Sequence, residues 1–478
     1  MKRLAIIITI IFSGSALYSQ NLVDALRYSQ NFSGGTARSV AMGGAFGALG
    51  ADFGSLSINP AGIGVYRGSE FTITPSYYYG KTNSSFYGTS DEDYKYNFNL
   101  NNMGIVLNST KDKEDGWISG SIGFGYNRLN NFHNNIVISG TNPNNSMADY
   151  FLDNVTPDPN NLDPFWERLA FDAYVIDTLN GQYVTQVPYP PINQRKTITT
   201  EGKIDEWNIT AGGNYSNKLY IGASLGIQKL HYNEDATHEE NYGDWFRFNQ
   251  TLNVHGTGYN FKLGIIYKPI QMLRIGAAIH TPTHYYIKED YYSTMTSSYV
   301  NGQTIYPTDQ NGNKLPMGAN DYQLITPFKA IGSVGLSLFK MAMISVDYEY
   351  LDYSNLRLRH GVNGYNYTSE NDQIQNTYKS TFNLKAGAEV RLSGIYLRGG
   401  FGYYGSPYKS TEINKNAYYL SYSGGIGIRE DNYFFDIAYV YTSHSEKYTL
   451  YNSGYTNSGF ANLDMANQRV LATIGFRF

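Results

Sequence analysis

The chain has 478 residues, a formal net charge of −4 and no cysteine. The lack of cysteine excludes a disulfide scaffold, thiolate metal sites and a cysteine nucleophile, and the small, evenly mixed charge argues against a nucleic-acid-binding protein. Only 16% of the residues are charged, yet the mean hydropathy is −0.40; both values fit a membrane β-barrel, whose apolar residues are spread thinly along its strands.

Residues 1–19 are predicted to be a signal peptide. A basic start at Lys2 and Arg3 precedes the apolar run Leu4–Phe12, which is too short to span a bilayer. Small residues follow, and cleavage near Ser19 suits the pattern of an exported protein. The alternative is that the apolar run forms a strand or helix of the core.

Residues 20–69 are rich in Gly and Ala and show little alternation of apolar and polar side chains. About fourteen strands enclose a lumen wider than side chains alone can fill, so we expect this segment to form a compact plug inside the barrel. Its apolar residues, among them Phe46, Leu49 and Phe53, could line an internal pocket. The alternative is a disordered periplasmic extension, although disordered segments are poor in such residues.

Residues 70–478 alternate apolar and polar side chains, as strands with two different faces do. Along Ser380–Leu392, for example, Phe382 and Leu384 share one face and Lys385 and Glu389 share the other. About fourteen such segments occur, the third being Trp117–Asn131, and the last one ends in Phe478. Short turns tend to alternate with long polar loops, notably Thr141–Lys196, Ile287–Thr326, Arg357–Gln375 and His444–Asp464. The sequence therefore predicts an all-β fold, a transmembrane antiparallel β-barrel of about 14 strands with an N-terminal hatch (plug) inside the lumen.

The tripeptide Asn59, Pro60 and Ala61 lies after the Gly-rich segment and before the first strand. In this position it resembles the hatch motif of the FadL/TodX family, outer-membrane transporters for long-chain fatty acids and other hydrophobic compounds. The resemblance is specific from Gly34 to Pro75 and elsewhere concerns only the architecture. It implies passive uptake of a hydrophobic ligand, rearrangement of the hatch, and lateral release through a gap at an inward kink of the third strand.

The third strand carries glycines that would permit such a kink. Gly123 and Gly125 are followed by a polar run that begins at Asn127, and glycines within a strand allow bulges and bends. These three residues are the predicted lateral gate. The alternative is a regular, Gly-rich barrel strand.

An acidic ligand would need a nearby cation, because an unpaired carboxylate in apolar surroundings is costly. Alternation places Lys385, Arg391 and Arg398 toward the lumen. The alternative is that these cations form a structural network with acidic residues across the lumen, namely Glu389, Asp347, Glu349 and Asp436.

No motif points to an enzyme, a metal site or a cofactor. The glycines of the N-terminal segment lack the order of a nucleotide fingerprint, and no catalytic elbow stands out. His280 and His284 are four residues apart, but Pro282 between them disfavours a shared helical face.

The predicted function is that of a monomeric transporter in the bacterial outer membrane, in contact with its lipid, for a hydrophobic small molecule, most readily a long-chain fatty acid. Two alternatives remain open: an accessory or shuttle binding protein in protein secretion, and a receptor for haem or another hydrophobic ligand.

Overall fold

The computed structural model describes residues 22–32, 34–309, 311–339, 341–360 and 364–478. The predicted signal peptide, residues 1–19, lies outside the described residues. Within those ranges, no helix is both long and apolar enough to cross a bilayer.

In the described part of the chain, fourteen antiparallel strands form a closed wall. Each wall strand pairs with its two neighbours, and the first pairs with the last from Glu70↔Arg477 to Ser85↔Asn462, which closes the barrel. The wall strands, numbered in chain order, are 1, Glu70–Phe86; 2, Thr89–Thr110; 3, Trp117–Asn131; 4, Ile192–Tyr215; 5, Leu219–Asn241; 6, Trp245–Ile270; 7, Leu273–His280 with His284–Ser297; 8, Gly318–Ile325 with Lys329–Leu338; 9, Ala342–Asp352 with Arg357–His360; 10, Ser380–Leu392; 11, Ile395–Tyr404; 12, Tyr419–Arg429; 13, Tyr433–Thr449; and 14, Phe460–Arg477. The predicted fold is confirmed.

The outer surface of the wall carries a belt of apolar side chains. Along wall strand 4, for instance, Ile209 is 47% exposed whereas its neighbour Thr210 faces the lumen and is fully buried. Soluble monomers rarely expose a large continuous apolar surface, so this belt faces lipid. It includes Ile122, Phe124, Leu225, Leu263, Ile265, Ile275, Val334, Ile344, Leu397, Ile426, Ile437 and Val470.

Several strands continue beyond the ends expected from the sequence. Wall strands 1 and 2 are joined by a tight turn at Tyr87 and Gly88, both with positive φ (44° and 85°), a conformation that matches the twist of a two-residue hairpin. The expected loop His444–Asp464 is shorter, because wall strand 13 reaches Thr449 and wall strand 14 begins at Phe460.

The loops opposite the short turns form an ordered extracellular cap over the barrel. The expected loop Thr141–Lys196 contains the helices Met147–Asn154 and Glu167–Asp172. Apolar side chains such as Phe151, Phe246 and Phe248 form the core of the cap. Its other elements are the strands Asn134–Asn142, Ile176–Leu179, Gln182–Thr185 and Thr304–Ile305, the helix Thr368–Thr377, and the 3-10 turns Pro159–Asn161, Ser298–Val300 and Tyr353–Asn355.

The lumen is filled by residues 22–66, called here the lumenal segment. It contains a short helix at residues 22–27, the helix Ala37–Ala41 and the 3-10 helices Phe53–Ser57 and Pro60–Val65. Most of its side chains are buried, and its backbone and side chains bond to wall strands on several sides. The segment therefore lies where a plug was expected.

Candidate functional site

Asn59 holds the base of the lumenal segment to the wall. Its side-chain oxygen accepts a hydrogen bond from the Ala61 N–H (3.1 Å), which caps the 3-10 helix that begins at Pro60. Its amide donates to the carbonyl oxygens of Gly47 (2.7 Å) and Ile265 (3.1 Å). The predicted tripeptide thus lies at the contact between the segment and wall strand 6.

The predicted apolar residues of the segment are buried in two clusters. Phe46 and Leu49 pack with Met42, and Phe53 packs with a second group that includes Leu56. The three predicted residues are thus packed in the contact between the lumenal segment and the wall, and a part in binding a ligand stays a prediction.

Gly123 and Gly125 lie in the regularly paired part of wall strand 3, where they pair with Val106 and Gly104. A Cβ atom on Gly125 would lie 2.3 Å from the Phe53 ring. This glycine therefore makes room for the aromatic ring of the lumenal segment. Whether either residue acts as a gate stays a prediction.

The backbone pairing of wall strands 2 and 3 ends at Asn127. This residue forms the last pair between wall strands 2 and 3, with Asn102. Beyond it, residues 89–101 of wall strand 2 pair only with wall strand 1, as far as the described chain shows. Wall strand 3 shifts its register against wall strand 4 between Arg128 and Asn130. This register shift lies a few residues after the two glycines, and the inward kink of the third strand stays a prediction.

After this register shift the chain runs along the inner face of wall strand 1. The strand Asn134–Asn142 continues the pairing with wall strand 4, and Asn134 accepts a hydrogen bond from the inward-facing hydroxyl of Thr82 (3.0 Å). Side chains occupy part of the gap: Tyr126 Oη lies 3.3 Å from the carbonyl oxygen of Leu100. The gap between wall strands 2 and 3, where side-chain contacts such as Asn131 to Asn97 (3.3 Å) replace backbone pairing, is called here the opening. Its use as a lateral exit stays a prediction.

Two small cavities flank the lumenal segment on the inner side of this opening. A chamber of about 80 Å³ lies deep in the lumen, and a passage of about 70 Å³ leads toward the opening. Phe32 and Leu129 line both cavities. The Phe32 ring packs edge-on against Tyr404 and Tyr419, with centroids 5.2 and 5.0 Å away. Phe32 thus separates the chamber from the passage, a role that the sequence analysis did not anticipate.

The chamber carries a surplus of positive charge. Lys262 lies 2.5 Å from Glu206, while Lys329 and Lys385 lie 3.3 and 3.6 Å from the single carboxylate of Glu349. Three ammonium groups and one carboxylate, that of Glu349, therefore line the chamber, whereas Glu206 and Asp347 lie outside its lining. Of these cations only Lys385 was predicted from the sequence, although alternation along wall strands 6 and 8 also turns Lys262 and Lys329 inward.

The other two predicted cations lie elsewhere. Arg398 lies 2.6 Å from both Glu389 and Asp436, and Arg38 of the lumenal segment donates to the same Glu389 (2.9 Å). This is the structural network considered as the alternative. Arg391 lies at the periplasmic mouth with its guanidinium 5.5 Å from the ring of Tyr396.

His280, set aside above as a metal ligand, is hydrogen-bonded to the segment instead. Its Nε2 lies 2.9 Å from the carbonyl oxygen of Ile58.

Comparison with known proteins agrees with this architecture. No protein-family model matches the sequence, and no curated protein matches it. Among solved structures, a FadL homologue from Pseudomonas aeruginosa is similar with a TM-score of 0.55 at 13% identity, covering 94% of this chain and 100% of that one. The toluene transporter TodX from Pseudomonas putida has a TM-score of 0.55 at 11% identity, covering 94% and 99%.

The toluene transporter TbuX from Ralstonia pickettii has a TM-score of 0.52 at 14% identity, again covering 94% of this chain and 99% of the other. The closed wall and its apolar belt place the protein in the bacterial outer membrane. The chain thus has the FadL/TodX-type fold, a 14-strand outer-membrane barrel whose N-terminal segment occupies the lumen.

Proposed function

We propose that this protein is a passive transporter of hydrophobic molecules, with long-chain fatty acids as its first candidate substrates, and that they leave sideways through the opening beside wall strand 3. The observation that carries the proposal is the loss of pairing between wall strands 2 and 3 beyond Asn127. An apolar solute gains free energy by entering lipid rather than water, so a lateral exit suits it. The similar fold of two toluene transporters supports the same substrate class.

The proposed route needs the lumenal segment to move. Cavities of about 80 and 70 Å³ are far smaller than the roughly 300–1,000 Å³ of typical ligand pockets. Because Phe32 lines both cavities, its displacement would join the chamber to the passage and to the opening. We therefore assign the closed state of the transporter to this structure.

The charge of the chamber favours an acid over a neutral hydrocarbon. A carboxylate placed near Lys329 and Lys385 would balance the one surplus ammonium group there, and a buried carboxylate is tolerated only when it is paired. This supports fatty acids as substrates.

Cross-linking across the opening tests the lateral route. The chain has no cysteine, so the double variant Asn99→Cys/Asn130→Cys places the only two thiols on either side of the passage, which both residues line. After reaction with a short bismaleimide, uptake of radiolabelled oleate into cells should fall to the level of cells without the protein.

The matched control joins the same two strands where they are already paired. Ile105→Cys/Phe124→Cys uses residues directly opposite each other, and its cross-linked form should transport normally. Normal oleate uptake by the cross-linked Asn99→Cys/Asn130→Cys protein would refute lateral release.

An accessory role in protein secretion is the second candidate. The ordered extracellular cap, with a core that includes Phe151 and Phe248, favours it because a fixed surface suits protein recognition. A stoichiometric partner protein in affinity-purified membranes, together with no oleate uptake, would favour this second function over transport.

A further inference from the structure

A groove of about 430 Å³ lies on the outer wall at the mouth of the lateral opening. Phe98 and Leu100 of wall strand 2 form one side of it, and Tyr126 and Trp207 form the other. Phe98 is 75% exposed, and the Trp207 ring stacks on Phe124 with centroids 5.5 Å apart. The apolar part of the groove is therefore continuous with the lipid-facing belt.

The groove lies at the extracellular boundary of this belt. On wall strand 4 the outward-facing apolar run extends from Tyr215, beside the short periplasmic turn, to Trp207. That length matches the roughly 9–11 residues with which a strand crosses a bilayer. The next outward-facing side chains are Asp205 and Lys203, so charge replaces apolar surface here, at the level of the lipid headgroups.

Two cations of the groove share one carboxylate. Asp205 accepts hydrogen bonds from Arg128 Nε (3.1 Å) and Tyr126 Oη (2.6 Å), and Lys203 Nζ lies 2.7 Å from its other oxygen. Arg128 and Asp205 are buried, whereas the Lys203 side chain is 44% exposed. One positive charge is therefore in surplus, on a lysine that solvent or a lipid headgroup can reach.

We propose that this groove binds a phosphate-bearing lipid of the outer leaflet, with the phosphate at Lys203 and Arg128 and an acyl chain against Phe98 and Trp207. Phosphate is the anion that arginine and lysine together recognise, and basic residues beside a membrane surface attract anionic lipids. The bound lipid would cover the opening from outside. This assignment does not depend on the transported substrate or on transport itself.

Lipid titration of the purified full-length protein tests the assignment. The protein in dodecyl maltoside is titrated with diphosphoryl lipid A and with the same lipid after removal of its phosphates, and native mass spectrometry counts the bound molecules. Wild type should bind one diphosphoryl lipid A more tightly than the dephosphorylated lipid. Lys203→Gln should weaken this binding about five-fold, the effect of one charge at a membrane surface, and Lys203→Arg should retain it.

Lys81→Gln is the matched control. Lys81 also lies on the outer wall, 2.7 Å from Glu92, and its side chain is 30% exposed, but it does not line the groove. This variant should bind lipid A as wild type does. Circular dichroism of each variant checks that the barrel is intact.

Four results would overturn the proposal. If Lys203→Gln and wild type bound diphosphoryl lipid A with equal affinity, Lys203 would not contribute to the site. If wild type bound the dephosphorylated lipid equally well, the groove would recognise only the acyl chains. Displacement of lipid A by oleate, with the same dependence on Lys203, would assign the groove to the transported acid. Displacement by millimolar inorganic phosphate would make it a site for free phosphate.

Discussion

Phe53 fixes the middle of the lumenal segment against wall strands 2 and 3. Its side chain is 1% exposed and packs with Leu56 and Ile63 of the segment and Val106 of the wall. Two wall glycines leave room for its ring, since a Cβ on Gly104 would lie 2.4 Å from two of the ring carbons. Truncation of Phe53 should therefore release the segment while the wall stays intact.

Phe53→Ala removes a fully buried aromatic side chain, which costs about 3–5 kcal/mol. Because each 1.4 kcal/mol is a factor of ten, the ratio of closed to open lumenal segment should fall about 100-fold to more than 1,000-fold. The wall itself, held by strand pairing all around the barrel, should not unfold.

A second substitution turns this expectation into a double-mutant cycle. Gly104→Ala alone pushes the Phe53 ring aside and should cost about 1–3 kcal/mol of segment closure. In the Phe53→Ala background the same methyl group enters vacated space. The free energy of segment closure lost in the double variant should therefore be smaller than the sum of the losses in the two single variants, by at least about 1 kcal/mol.

Hydrogen–deuterium exchange of peptides from residues 48–66 measures segment opening, and ion conductance in planar bilayers measures the leak that results. Gly120→Ala is the control on wall strand 3, since its Cβ meets nothing within 4 Å, and it should behave as wild type. If the losses of the two single variants added up to that of the double variant within about 0.5 kcal/mol, or if exchange were unchanged in Phe53→Ala, Phe53 would not hold the lumenal segment against the wall.

Two further predictions concern pH and ligand charge. Burial raises the pKa of Asp24 on the short helix at residues 22–27 to about 6, and burial together with the negative charge of Asp24 raises the pKa of Glu289 to about 8. Both carboxyl groups hold their protons more tightly with the helix docked, so docking should be strongest below pH 4 and weaken as the pH rises to 8. Hydrogen exchange of residues 22–30, corrected for intrinsic rates, measures docking of the helix. Protection should fall with rising pH in wild type and fall less in Asp24→Asn. Equal protection at pH 5 and pH 9 in wild type would contradict the prediction. Lys329→Gln should lower the affinity for oleate about tenfold, because it removes the surplus charge, and should leave the affinity for toluene unchanged. Both affinities are measured by titration of the purified protein with the ligand, with Lys329→Arg as the control variant. An equal loss for toluene would mean that Lys329 supports only the structure.

The wall could be predicted where its strands cross the membrane. There one face meets lipid and the other the lumen, so the alternation along Ser380–Leu392 is clear, and the strand expected at Asn376–Arg391 is observed at Ser380–Leu392. Above the membrane both faces of a strand meet polar surroundings, and alternation loses its contrast. For this reason the extension of wall strand 13 to Thr449 was expected to belong to the loop His444–Asp464.

The site was predicted only in part. The resemblance to the FadL/TodX family implied that Asn59, Pro60 and Ala61 belong to a segment in the lumen, where they are found. The kink of wall strand 3, expected from its glycines and from the same resemblance, stays a prediction. The network of Arg398 with Glu389 and Asp436 was considered as the alternative, but the part that Arg38 plays in it was not expected, because Arg38 reaches Glu389 from the distant lumenal segment. Phe32 went unnoticed because nothing in its neighbourhood in sequence indicates the tyrosines around it.

The sequence by itself determined the class of the protein: a membrane barrel of about fourteen strands, with short turns at one end, long loops at the other and a compact segment before the first strand. These features follow from side-chain periodicity and from Gly and Pro, which act over a few neighbouring residues. Only the tertiary structure decided where the wall opens, which cations remain in surplus and which side chain closes the passage. Those properties depend on strand register and on contacts between residues hundreds of positions apart, and the pattern along a single strand carries no information about either.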